Sequence, residues 1–440
     1  MLELSPYQEV GVDFLINTKR AILGDDVGLG KTAQALVAST TVPGPVLVIT
    51  RKSLVPSWLY EISRWCPHPA RVLTTQSSLS FHGFNYVVTN YEVVTRRLPE
   101  LLGLFQCVIV DEAMAIKNRK AQRTKALHKL PRDVPYVWLL TGTLAENGWH
   151  EIWSLLHCIR PDVFRSYWSF IDQFFNWGYN YFGGREIYGL KNPRAFAQAI
   201  QPYILRRTKE LLNLPPLTSE IIYVPMDKYQ QHLYEEIRKN FFAVVDTEKV
   251  VTAPTVLAQL TRLRQVTCSP ALVGGQDKSA KTDTLIELLK DLTADHKVLV
   301  FTTFAEYVKL LLPKLQKFGA VALTGDMSTT ARGEAVNKFQ NDPSTRVFIG
   351  TIQAAGVGLN LQEADTVIFL NKSWVPGENA VQAVGRAYRR GQTKPVSVYS
   401  LVMPDSVDEY IEDVLARKLK AVNAVEYIIR HMKGGKFDVA

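Results

Sequence analysis

The stretch Gly24-Asp25-Asp26-Val27-Gly28-Leu29-Gly30-Lys31-Thr32 sets glycines, a lysine and a hydroxyl residue just ahead of a strong helix former, Ala33 to Ala38. Glycines bridging into a helix expose backbone N–H groups at the positive end of the helix dipole, which suits a phosphate. Gly28 and Gly30 would let the backbone approach, Lys31 would reach terminal phosphates, and Thr32 would hold Mg2+. Asp25 stands where the general pattern has its first glycine, so spacing alone leaves a chance flexible loop open.

Two further groups bear chemistry. Asp111-Glu112 follows the apolar run Phe105 to Val110. Adjacent carboxylates at a buried strand's end suit a Mg2+ shell, for Asp111, and the orientation or deprotonation of a water, for Glu112. A solvated acidic turn is the alternative. Arg386 and Arg389 lie three apart in Gln382 to Gln392 and are expected on one helix face. Paired guanidiniums suit phosphate charge; a basic helix touching solvent is the alternative. Gln8, after Ser5-Pro6, has an amide that matches an adenine edge, or is a plain surface glutamine.

The elements that must position these groups read as α/β. Ala21 to Leu23, Pro45 to Thr50, Tyr86 to Thr89, Phe105 to Val110 and Val137 to Leu140 are short apolar runs, as buried parallel strands are. The strand before Gly24 and the strand before Asp111 are expected to be neighbours in one sheet. Arg51, Lys52 and Ser53 stand at a strand's carboxyl end, where such sheets bind ligands. A basic segment holds Lys117, Arg119, Lys120, Arg123, Lys125 and Lys129, and Thr141-Gly142-Thr143 closes the last strand. From Glu151 to about Leu272 helical patterns dominate, with aromatics from Phe164 to Trp177 that read as core, not as a base-stacking platform. Gly274-Gly275 reads as a hinge. A second α/β pattern follows, with strands at Lys297 to Thr302, Val321 to Leu323, Val347 to Gly350 and Thr366 to Leu370.

At 440 residues the chain should form two domains with an insert. The expected bounds are 1–150, 151–274 and 275–440. Lys plus Arg is 51 and Asp plus Glu is 42, so the net charge is +9, which favours a polyanionic partner. The four cysteines, Cys66, Cys107, Cys158 and Cys268, make no metal-ligand spacing and suggest a reducing compartment. No apolar run approaches a membrane span, and no leader pattern is present.

Together these segments resemble the ATPase motor of the SWI/SNF family, a branch of helicase superfamily two. The similarity runs from Tyr7-Gln8 to about Val402. Gln8 is similar to the adenine-reading glutamine, and Asp25 to Thr32 to motif I, where an aspartate at this position is usual. Asp111 to Met114, with Lys117 and Asn118, resembles motif II; Met114 stands where histidine is usual. Leu140 to Thr143 resembles motif III, and Leu205-Arg206-Arg207-Thr208-Lys209 the helical insert. Gly356 to Leu361 resembles motif V, Trp374 with Pro376 the family's Trp-Asn-Pro, and Gln382 to Gln392 motif VI.

The resemblance implies two tandem RecA-like P-loop NTPase lobes with helical protrusions, and ATP and Mg2+ in the cleft between lobes. It adds Asp25, Asp26, Gly358 and Gln382 to the ATP-binding residues. Nucleic-acid contacts are expected from Arg51, Lys52, Ser53, Lys117, Asn118, Thr141, Gly142, Thr351 and Trp374. The partner implied is double-stranded DNA, with forked or single-stranded DNA as further substrates, tracked by a monomer. A bacterial or phage-infected cytoplasm is the expected place, or the nucleus in a eukaryote. A fork-remodelling or strand-annealing enzyme, a true strand-separating helicase and a catalytically weak DNA-binding scaffold remain the alternatives.

Overall fold

The apolar runs become buried parallel strands in two separate sheets. The computed structural model describes residues 3–66, 68–80, 83–180, 183–240, 242–246, 249–252, 255–355, 359–375, 383–433 and 436–437. Two compact units form, one from Met1–Leu211 with Lys418–Ala440, the other from Leu212–Arg417. The 151–274 segment is thus divided near Leu211. Gly274 lies inside the second unit, where it ends a short 3-10 turn, Pro270–Val273, with φ +86°.

The first unit begins with α1 (Pro6–Thr18), β1 (Arg20–Leu23), α2 (Lys31–Ser39), β2 (Val46–Thr50), α3 (Val55–Trp65), β3 (Ala70–Val72) and β4 (Tyr86–Asn90). It continues with α4 (Tyr91–Leu101), β5 (Cys107–Val110), α5 (Gln122–Lys129), β6 (Tyr136–Leu140), α6 (Trp153–Ile159) and α7 (Tyr167–Phe174). A hairpin, β7 (Phe175–Tyr179) and β8 (Arg185–Leu190), then α8 (Pro193–Ile200) and β9 (Ile204–Leu205), complete this part. The sheet order is β3-β4-β2-β5-β6-β1-β9, and its strands pair in parallel. All residues of β2 and β5 are buried, the pattern of strands covered on both faces.

Two expectations are corrected here. β1 and β5 share the sheet but are not neighbours, because β6 lies between them and pairs with both. Leu205 lies in an edge strand of this sheet, not in a helical insert, and hydrogen-bonds beside β1. The aromatic run does form core. Phe164, Phe170, Phe174, Phe175 and Phe196 are all buried, with Phe174 and Phe196 5.5 Å apart edge to face.

The second unit carries β10 (Leu217–Tyr223), α9 (Lys228–Asn240), a hairpin β11 (Phe242–Asp246) and β12 (Lys249–Thr252), α10 (Val256–Cys268), α11 (Ala280–Leu292) and β13 (Val298–Thr302). It continues with α12 (Ala305–Leu315), β14 (Ala320–Leu323), α13 (Thr329–Asn341), β15 (Val347–Thr351), α14 (Ile352–Ala355), β16 (Thr366–Phe369) and β17 (Val396–Val402). The sheet order is β10-β17-β16-β13-β15-β14, again parallel. Lys281 is fully buried here, and its Nζ donates to Asp408 Oδ2 at 2.5 Å and to the Leu370 carbonyl at 2.6 Å, so the ammonium is paired. The last helix, α15 (Val407–His431), supplies Ile411 and Leu415 to a core of this unit and Val425 and Ile429 to the core of the first.

In the first unit His128 packs edge-on to His157, at 4.7 Å, while Trp153 stacks on His157 at 4.8 Å. Its Nε2 lies 2.9 Å from the Ser154 carbonyl. Burial, then the neighbouring His157, pushes the His128 imidazole from its usual 6.5 down to about 4. A folded-state value below the unfolded one means the unfolded chain takes the proton first as pH falls. Stability should therefore be full above the unfolded value and decline from about pH 6.5 to pH 4. The loss attributable to this ring is on the order of 3 kcal/mol. Urea unfolding of the wild type and His128→Gln at neutral and acid pH checks this: the variant should lose less on acidification, and equal losses count against it.

Candidate nucleotide site

The loop Gly24 to Gly30 crosses the carboxyl end of β1 and is sewn to β9 and the residues after it. Gly24 N donates to Leu205 O at 2.8 Å and Asp26 N to Arg207 O at 2.9 Å. Gly30 stands at the N-cap of α2 with φ +75°, and a Cβ there would fall 2.2 Å from Gln8 Nε2. Glycine is required both for the left-handed backbone and for the close approach. Buried Gln8 braces the loop: its Nε2 donates to Leu29 O at 3.1 Å, and its Oε1 accepts from Ser5 N at 2.9 Å as part of a capping box on α1.

Beneath the loop two arginines hold two carboxylates. Asp25, 0% exposed, accepts both fork nitrogens of Arg207, with Nε to Oδ1 at 2.9 Å. Arg207 also donates to Gln34 Oε1 at 2.6 Å and to the Tyr7 carbonyl. Asp26 Oδ1 pairs with Arg206 Nη2 at 2.8 Å, and its Oδ2 accepts Lys209 N at 3.1 Å. Arg206 reaches further, to Gly24 O at 2.7 Å and to Glu426 Oε2 at 3.0 Å. Both carboxylates, expected among the ATP-binding residues, are thus directed to arginines. Sequence reasoning missed this clamp; the adjacent Arg206-Arg207 pair was its only signal.

Lys31 opens α2, with Thr32 half-buried beside it. Lys31 Nζ donates to Asp25 O at 2.6 Å and Asp26 O at 3.1 Å. Burial pulls the ammonium below its ordinary value, opposed by the charges of Asp25 and Glu112. Asp111 is fixed on three sides: Oδ2 accepts from Trp58 Nε1 at 2.8 Å and Thr50 Oγ1 at 3.0 Å, Oδ1 from Glu112 N at 2.9 Å. Burial, and then the charge of Glu112, raise the Asp111 carboxyl above its usual range; the two side-chain hydrogen bonds and Lys31 oppose this. Glu112 itself is in the left-handed region, φ +51°, a strained place for a side chain that Tyr91 secures by donating to the Asp111 and Glu112 carbonyls. Met114 is buried in the adjoining core.

These residues fit Mg2+. That ion takes one or two protein oxygens and fills its octahedron with water and phosphate. A held, half-buried carboxylate beside a second one offers such oxygens, and Thr32 adds a hydroxyl on the first turn of α2. Among the described residues no group of three His, Cys, Asp or Glu stands in a metal-holding arrangement.

In the second unit Arg386 is buried, and its Nη1 donates to Leu359 O at 3.3 Å. Arg386 ends a 3-10 turn, Val384–Arg386, and Arg389 follows in an irregular turn, so the expected shared helix face is corrected. The physical reason is the packing of that turn: Arg386 O accepts Leu361 N, and the Gln392 amide donates to the Gln362, Ala364 and Ala387 carbonyls. The Arg389 Nε is buried with no hydrogen-bond partner among the described residues, and burial lowers its pKa. Gly358, Pro376 and Gln382 lie outside the described residues. Arg264, missed as a site residue, reaches Lys372 O at 2.9 Å and Thr303 Oγ1 at 3.2 Å, and lies 5.7 Å from the ring centre of Trp374.

Among the expected nucleic-acid contacts, Lys52, Ser53 and Asn118 are exposed and Arg51 is half-buried. Lys117 is ion-paired to Glu146 and lies 3.9 Å from Glu151. Thr141, Gly142 and Thr351 are buried. Thr141 Oγ1 is turned to Thr143 O at 2.7 Å, and Gly142 O accepts from Arg206 at 3.4 Å. Their burial places them inside the units they belong to.

A loop-capped helix and a held Asp-Glu pair on one parallel sheet, followed by a second parallel α/β unit, define two tandem RecA-like units. Residues 7–272 match the SNF2-related domain and residues 280–391 the helicase conserved C-terminal domain, and the chain belongs to the SNF2-related family. It is 29% identical over 485 residues to the SWI/SNF chromatin-remodeling complex subunit snf22 of Schizosaccharomyces pombe, covering 99% of this chain and 28% of that protein. It is 30% identical over 460 residues to the ISWI chromatin-remodeling complex ATPase ISW1 of Saccharomyces cerevisiae, covering 95% and 40%. The chain thus spans less than half the length of these relatives. Among solved structures, the Sulfolobus solfataricus SWI2/SNF2 ATPase core in complex with dsDNA is similar over 100% of this chain and 98% of that one, at 26% identity and a TM-score of 0.45.

Removing one partner of a buried ion pair strands the other charge, at about 3–5 kcal/mol. Arg207→Ala should cost that much in a denaturant titration. Arg207→Lys should recover little, because an ammonium cannot meet both Asp25 oxygens and Gln34 as the planar fork does. Wild-type stability in Arg207→Ala would show the clamp to be idle.

Proposed function

We propose that the chain is the ATP-hydrolysing motor of a DNA translocase, turning ATP into ADP and phosphate while tracking the backbone of duplex DNA. The observation that carries this reading is the meeting of three groups at one end of the first sheet. Lys31 opens α2 after β1, and Asp111 and Glu112 follow β5, so all three stand beyond the carboxyl ends of strands in one parallel sheet. Family membership and the relative named as an ATPase support it.

In this reading Lys31 and the loop amides hold the phosphates, and Thr32 and Asp111 would hold Mg2+, which neutralises phosphate charge when bound. Glu112 orients the water and accepts its proton as the new O–P bond forms and the bond to ADP breaks. Arg389, whose Nε is buried with no hydrogen-bond partner among the described residues, is the group the family resemblance assigns to the phosphoryl charge, with Arg386 three residues before it. Gln8 acts by shaping the loop and has amide capacity left for a base. Exposed Lys52, Ser53 and Asn118, and the overall charge of +9, suit the phosphates of a nucleic-acid backbone.

An arginine aimed at a transferring phosphoryl group is worth roughly 10³–10⁵ in rate. Arg389→Ala and Glu112→Gln should therefore nearly abolish steady-state ATP turnover while a fluorescent ATP analogue still binds. Near-normal turnover in both would refute the assignment. Duplex DNA should raise the rate with little regard to sequence, since backbone contacts carry no base code. Its affinity should fall with salt, the log–log slope being about −0.9 per phosphate neutralised. Stimulation by RNA alone, or efficient unwinding of a blunt duplex, is the result that would defeat the duplex-tracking part.

A further inference from the structure

The side chains beneath the phosphate loop have no part in the chemistry above, yet one of them ties the loop to the end of α15. Arg206 is 8% exposed, and its guanidinium touches three separate parts of the first unit. It meets the loop through Gly24 O at 2.7 Å and Asp26 Oδ1 at 2.8 Å. It meets the turn after β6 through Gly142 O at 3.4 Å. It meets α15 through Glu426 Oε2, 3.0 Å from Nη2 and 3.2 Å from Nε.

Glu426 is itself 8% exposed, and its neighbour Val425 and nearby Ile429 belong to the core of the first unit. Burial opposes the Arg206 charge, but Glu426 and Asp26 outweigh it, and the net direction is upward, so the guanidinium stays ionised. Asp26 carries the connection on to the chemistry, because its carbonyl receives Lys31 Nζ. A buried arginine between two carboxylates often serves stability alone. Here its remaining hydrogen bonds go to carbonyls of the phosphate loop and of the adjoining turn, so its placement fixes backbone at the site.

We infer that Glu426 is a positioning residue for nucleotide binding: through Arg206 it holds Asp26 and Gly24, and so sets the geometry of the phosphate loop. The end of α15 is then a regulator of nucleotide affinity, since lifting it from the first unit frees Arg206 from one of its two carboxylates. This inference rests on the ATP-binding reading of the loop.

The test compares the full-length wild type with Glu426→Gln, Glu426→Asp, Asp26→Asn, Glu426→Gln combined with Asp26→Asn, and Asn423→Ala, which alters an exposed position on the same helix. Affinity is read with a fluorescent ATP analogue, and KM and kcat from steady-state hydrolysis. Glu426→Gln should weaken affinity and raise KM about ten-fold, the lower end of what a charge-assisted hydrogen bond is worth. Its kcat should change less, because Lys31, Asp111 and Glu112 are untouched. Glu426→Asp should recover part of the affinity, and Asn423→Ala should match the wild type. Asp26→Asn should cost less in the Glu426→Gln background than alone, since both act through one guanidinium. By linkage, the analogue should slow amide exchange at the end of α15 in the wild type. If Glu426→Gln lowers the unfolding midpoint but keeps wild-type affinity and KM, the cluster is structural only and the inference is overturned. Failure of the wild type to bind any ATP analogue would instead defeat the nucleotide reading, and the inference with it.

Discussion

Two adjacent arginines neutralise two adjacent aspartates at the mouth of the first sheet, and the phosphate loop rests on that exchange of charge. Asp25 is fully buried and Asp26 half-buried, and each carboxylate has an arginine and further hydrogen bonds in place. Arg207 and Arg206 supply both. They are delivered by a two-residue edge strand, β9, whose pairing with β1 sets their register against the loop. With the side chains committed below, the loop's backbone is left facing the start of α2. Lys31 is parked on carbonyls of the same two aspartates.

The Asp-Glu end of the site follows a related logic. Burial and the like charge beside it raise the Asp111 carboxyl, while Thr50 and Trp58 hold it in place by donating to Oδ2. Glu112 sits in a backbone conformation that costs about 1–3 kcal/mol for a non-glycine residue. Tyr91 stabilises it by bonding both carbonyls. Strain of that kind, held in place by a buried neighbour, is characteristic of a residue whose side chain must point one way.

Much of the framework could be read from the chain alone, and the reasons are physical. Parallel strands buried on both faces need continuous apolar residues, so Val46–Thr50 and Val347–Thr351 were plain. The phosphate loop was legible because glycine, lysine and threonine have few other reasons to stand together before a helix. What escaped was everything set by long-range pairing. The Arg207–Asp25 contact joins residues 182 apart, and no local periodicity encodes it. β9 is too short to show a pattern, β6 inserts between strands that seemed natural neighbours, and the turn carrying Arg386 is shaped by the Gln392 amide, not by helix propensity.

The path of α15 bears on how such a molecule comes to be folded. Val425 and Ile429 fill the core of the unit that begins at the N-terminus, although the whole second sheet is translated before them. Domains ordinarily fold in the order of their synthesis. Here two residues of the first unit's core are translated only after the second unit's sheet, so that core cannot be complete before they follow. A chain cut before Val425 would leave that part of the first core open, with apolar side chains such as Ile204 and Phe196 short of two of their cluster.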